Sequence, residues 1–80
     1  MKEFKDFMMD LNDYFDNLYS QLDSKYDNLM DSLATKDLSK AEYQITMQEY
    51  NLSYDREKKI LNELYINIVQ SMVETFKRNT

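Results

Sequence analysis

From Phe4 onward apolar side chains return every third or fourth residue, at Phe4, Met8, Leu11, Phe15, Leu18 and Leu22, then at Tyr26, Leu29 and Leu33. Alternating steps of four and three put these residues on one stripe of an α-helix. The step of four from Leu22 to Tyr26, where a strict heptad has three, is a stutter that relaxes a left-handed supercoil. Phe7, Tyr14, Tyr19 and Met30 widen the stripe, as expected for a helix with more than one neighbour. A second periodic tract carries Tyr43, Met47, Tyr50 and Tyr54, then Leu61, Leu64, Ile68, Met72 and Phe76, with Glu57 in the seam position between Tyr54 and Leu61. Ala41, Ile45 and Leu52 form another stripe beside it. The spacing predicts helices over about 4–34 and 39–78.

The interruption is Thr35-Lys36-Asp37-Leu38-Ser39, with the turn expected at 35–38. Ser39 and Glu42 have the spacing of a capping box, and Leu38 with Tyr43 stands where a hydrophobic staple would close the corner. No glycine follows Ala34 to stop the first helix, so a single bent helix is the alternative to a hairpin. The expected fold is all-α, one domain over 1–80, an antiparallel two-helix hairpin that self-associates through its C-terminal helix. The reason for self-association is the tract 60–76. Ile60, Leu61, Leu64, Tyr65, Ile66, Ile68, Val69, Met72, Val73 and Phe76 cover well over half the helix circumference, more than one neighbouring helix can bury.

Composition reinforces the helical reading and narrows the chemistry. Glycine, proline, cysteine, histidine and tryptophan are all absent, which removes the residues that make tight turns and interrupt helices. With neither His nor Cys there is no ordinary base for a nucleophile, and without glycine no phosphate-binding loop, so the chain is expected not to be an enzyme and to carry no cofactor. Asp10, Asp13, Asp16 and Asp23, Asp27, Asp31 repeat at helical spacing. They read better as a solvated face than as a cation site, since a calcium loop needs a tight turn and a terminal bidentate glutamate.

The net charge of −5 gives no basic footprint for nucleic acid. All of it belongs to residues 1–34, where eight acidic residues face three lysines; the remainder is balanced at seven and seven. The basic cluster Arg56, Lys58 and Lys59 is interleaved with Asp55, Glu57 and Glu63, which favours ion pairing, and Lys77 and Arg78 complement a helix C-terminus. The seven tyrosines could stack bases, but their spacing favours seam packing with hydroxyls at the rim. No apolar run of 18 residues marks a membrane span, and the charged start Met1-Lys2-Glu3-Phe4-Lys5-Asp6 does not look like a signal peptide. A cysteine-free chain suits a reducing cytoplasm, and equally a protein exported unfolded.

Residues 41–52, Ala-Glu-Tyr-Gln-Ile-Thr-Met-Gln-Glu-Tyr-Asn-Leu, resemble the needle subunits of bacterial type III secretion systems. Tyr43, Gln44, Met47, Glu49, Tyr50, Asn51 and Leu52 match that family's second-helix pattern in register. The stretch 35–39 lacks the family's Pro-x-x-Pro turn, and its Trp-Ser-Gly near the N-terminus is missing here. The resemblance implies a helical hairpin that stacks into a hollow filament serving protein export, masked beforehand by export chaperones and located outside the cell. On this reading Leu11, Phe15, Leu18 and Leu22 with Tyr43, Met47, Tyr50 and Leu52 hold the hairpin, while Ile66, Val69, Met72, Val73 and Phe76 join subunits. The alternative is a closed bundle, most simply a dimer of hairpins, acting as a small cytoplasmic adaptor, inhibitor or chaperone.

Overall fold

A computed structural model describes residues 3–78 and shows two α-helices, α1 (Phe4–Ala34) and α2 (Lys40–Arg78), packed against each other as a hairpin. The Cα trace measures 62 × 17 × 8 Å, so the molecule is one helix thick and has two broad open faces.

Three of the four helix ends, both ends of α1 and the start of α2, are closed by local groups. At the start of α1 the Glu3 amide donates to Asp6 Oδ2 at 3.2 Å, and the Glu3 carbonyl accepts from the amides of Asp6 and Phe7. This cap places a carboxylate at the positive end of the helix dipole. At the far end α1 stops without glycine and without any positive φ among the described residues. Thr35 turns the last carbonyls inward instead: its amide and hydroxyl both donate to the Ser32 carbonyl, and the Lys36 amide donates to Leu33. These i to i+3 bonds tighten the last turn in the way a 3₁₀ segment does.

The second helix begins at Lys40, with Ser39 as its cap, so the connection is one residue longer than the predicted 35–38. Ser39 Oγ accepts from the Glu42 amide at 3.2 Å, and the Ser39 carbonyl accepts from the Tyr43 amide at 2.9 Å. Glu42 does not return a bond to the Ser39 amide, so only half of the predicted box forms. Its charge still lies in the first turn of α2, where it favours the dipole.

The core is a single row of side chains on α1. Phe15, Leu22, Tyr26 and Leu33 are buried, with Phe15 only 2% and Leu33 0% exposed. No residue of α2 reaches that level of burial, although Tyr43, Met47, Tyr50, Tyr54, Leu61, Tyr65, Ile68 and Met72 are half-buried along the seam. Aromatic rings fill much of the seam edge to face, with Phe15 on Tyr65 at 5.2 Å and Tyr26 on Tyr54 at 5.4 Å between centroids.

Two expectations are corrected by this geometry. Leu52 does not hold the hairpin; it is 61% exposed on the side of α2 away from α1. Leu52 follows Tyr50 by two residues, a rotation of about 200° on a helix, so the two cannot share a face. Phe76, assigned to subunit contacts, packs within its own hairpin. Its ring meets Phe4 at 5.1 Å and Phe7 at 5.6 Å and closes the open end, where the two termini of the hairpin come together.

Candidate functional site: the association surfaces

The two broad faces differ in chemistry. On one, tyrosine hydroxyls cross from helix to helix: Tyr65 donates to Asn12 Oδ1, Tyr19 to Asn62 Oδ1 and Tyr54 to Asp23 Oδ1. The bond to Asp23 holds the Tyr54 hydroxyl above its ordinary pKa, because ionising it would set two negative charges side by side. Asp16, Asp23 and Asp27 border the grooves on this side. The tyrosines thus reach the rim, as the spacing predicts. Sequence reading did not identify Asn12, Asn62 and Asp23 as their partners, since pairing residues 31 to 53 positions apart requires the helix register.

The opposite face is apolar. Phe7, Leu11, Tyr14, Leu18, Gln21 and Lys25 follow one another in steps of four and three along α1 and so form one strip. Across from them run Glu57, Ile60, Leu64, Ile68, Ser71 and Thr75 of α2. Leu18, Lys25, Glu57 and Ile60 line one shared groove, and Phe7, Ile68, Ser71 and Thr75 line another farther toward the open end. Tyr14, Ile60 and Leu64 stand largely in solvent.

Charge on these two strips is confined to one pair. Lys25 Nζ reaches Glu57 Oε1 at 3.1 Å and Oε2 at 3.4 Å. This is the role of the charged residue in the α2 seam. Hydrogen bonding from Lys25 and then from the Tyr26 hydroxyl holds the Glu57 carboxyl below the usual carboxylate range, and the same ion pair raises Lys25. Burial, with Glu57 adding to it, raises the Tyr26 hydroxyl.

A carboxyl whose pKa is lowered by folding contributes stability that is complete above its unfolded value and is lost as pH falls through the folded value. The melting temperature of Glu57→Gln is therefore expected to lie below that of the native chain at neutral pH. The gap should close as pH falls through the lowered folded pKa of Glu57, below which Glu57 is protonated and, like glutamine, uncharged. A gap that stays constant across this range in thermal melts followed by circular dichroism would show that the pair contributes nothing to folding.

A third apolar surface lies on the outer side of α2. Ile45, Leu52 and Ile66 are all more than half exposed, and Lys59 and Val73 continue the same seven-residue spacing. Of the residues expected to join subunits, Ile66 is exposed here, while Val69, Met72 and Val73 are half-buried near the open end. Val73 borders a groove with Phe4, Phe76 and Lys77.

Among the described residues no three carboxylates gather as a metal ion would require, and no helix is long and apolar enough to cross a membrane. In comparisons with family models, with curated proteins and with solved structures, nothing matches this chain.

Proposed function

We propose that this chain is a non-enzymatic, self-assembling helical hairpin whose growth runs through α2, as in a filament subunit of the type III secretion needle kind. The observation that carries the reading is that α2, 39 residues long, leaves every side chain at least partly exposed in the hairpin, while Ile45, Leu52 and Ile66 face outward and Ile60 and Leu64 face a different side. One two-fold contact uses the same patch on both copies and cannot cover two patches pointing in different directions. Covering both takes two separate contacts, one on each side of α2, so a subunit that has made the first still carries an open patch and assembly continues. The Tyr-Gln and Glu-Tyr-Asn-Leu matches at 43–52 support the same reading, and in it a chaperone would cover α2 before export.

A closed dimer of hairpins, serving as an adaptor, inhibitor or chaperone, is the second reading. The near-neutral broad face of Tyr14, Leu18, Ile60 and Leu64 favours it, since that face alone suffices for one isologous contact.

Electron microscopy and sedimentation of the purified chain over a concentration series separate the two. Filaments or species growing with concentration are expected, and Ile66→Asp or Val69→Asp is expected to stop growth with helicity retained. Assembly that saturates at two chains, or growth undisturbed by both substitutions, would overturn the filament reading.

A further inference from the structure

Resting on the reading that the chain self-associates, we infer that the broad face bearing Tyr14, Leu18, Ile60 and Leu64 takes a second copy of the same chain, face to face about a two-fold axis, and that this contact forms before any growth along α2.

Charge selects the occupant. The chain carries −5, all of it within residues 1–34, so two copies repel wherever the aspartates of α1 meet. Asp13, Asp16, Asp23, Asp27 and Asp31 lie on other strips of that helix, with Asp16, Asp23 and Asp27 bordering the tyrosine-lined face, and Asp10, three residues after Phe7 and four before Tyr14, stands at the rim of the apolar strip. On the apolar strips from Phe7 to Lys25 and from Glu57 to Thr75, the formal charges are Lys25 and Glu57, and these neutralise each other at 3.1 Å. An equally acidic molecule can therefore approach the middle of this face without meeting unpaired like charge. A strongly basic partner would gain nothing here and would be drawn to the opposite side.

Shape points the same way. Both helices contribute to the face, α1 through Tyr14 and Leu18 and α2 through Ile60 and Leu64, so a two-fold rotation lays apolar strip on apolar strip along both helices. The product is a four-helix layer pair, which gives Ile60 and Leu64 a second neighbour and leaves Leu52 and Ile66 outside for further contacts. A hairpin with four buried side chains among its described residues is also small enough to need such a partner.

The test is sedimentation velocity of the full chain, native and substituted, with helicity read by circular dichroism. The native chain should show a dimer as its smallest associated species. Leu64→Glu and Ile60→Glu, made separately, should each weaken dimerisation about 30-fold or more. Leu52→Glu, on the outer side of α2, should leave the dimer intact. These side chains are 46% and 57% exposed in the hairpin. Where the charged variants lose helix, Leu64→Gln and Ile60→Gln carry the test, and either one keeping its helicity while dimerising as the native chain does would overturn the assignment. If the native chain associates and both face variants associate equally well, the assignment of the face is overturned while self-association stands. If the native chain is a monomer at every concentration, the self-association reading fails and this inference fails with it.

Discussion

Replacing Phe15 with alanine is expected to dissolve the hairpin. Among the described residues Phe15 is the larger of the two fully buried side chains, 2% exposed, and it sits at the centre of an aromatic group in which Tyr14, Tyr19 and Tyr65 all pack on its ring. Truncating a buried phenylalanine costs about 3–5 kcal/mol, the sum of lost transfer energy and the cavity left behind. A core of this size supplies only about 3–5 kcal/mol in total. Collapse around the cavity cannot offset much of the loss, because α2 is held over Phe15 by Tyr65 itself, whose hydroxyl is tied to Asn12. The melting temperature at fixed protein concentration should fall by about 15 °C or more. Near-ultraviolet tyrosine dichroism should disappear more completely than far-ultraviolet helicity, since long separated helices keep part of their helix content. A melting temperature within a few degrees of the native value would show that the α1 stripe is not the core.

Leu33→Ala is expected to have the next largest effect, at the opposite end. Leu33 is fully buried and is the last core residue before the connection, facing the first turns of α2. Its truncation costs about 2–5 kcal/mol. The loss should be localised, since hairpins open in contiguous units. Amide exchange should speed up at Lys36, Leu38 and Tyr43, whose hydrogen bonds form the turn and cap, and less at the end held by Phe4, Phe7 and Phe76. Small-angle scattering should show the radius of gyration rising above the 18.5 Å of the closed hairpin. Uniform acceleration over the whole chain would mean instead that the hairpin unfolds as one unit.

Much of the fold was legible because helix information is local. The four-three spacing located the α1 stripe that became Phe15, Leu22, Tyr26 and Leu33, and the Ser39 and Glu42 pair located the start of α2 to within one residue. The cap at Glu3 and Asp6 went unread, because two acidic residues do not resemble the usual serine-led box. Leu52 shares a stripe with Ala41 and Ile45 by its spacing, and only the resemblance at 41–52 groups it with Tyr43, Met47 and Tyr50 in the hairpin contact. The role of Phe76 depended on a residue more than seventy positions away. The association surfaces were half legible: the girth of 60–76 announced unmet apolar area, but which strip faces which side depends on where α1 lies.

By itself the sequence determined two long helices, an acidic first helix and a chain without histidine or cysteine, because backbone propensity, periodicity and charge are properties of residues taken in order. That the chain doubles back was settled by tertiary structure. Residues 35–39 contain no glycine or proline to enforce a turn, and the reversal persists because α2 covers Phe15, Leu22, Tyr26 and Leu33, which a single straight helix would leave in water. The same packing set the register that pairs Lys25 with Glu57 and Tyr65 with Asn12, and so divided the surface into one polar and one apolar face. Periodicity tells which residues share a stripe, but only the position of the other helix tells which stripe remains open to a partner.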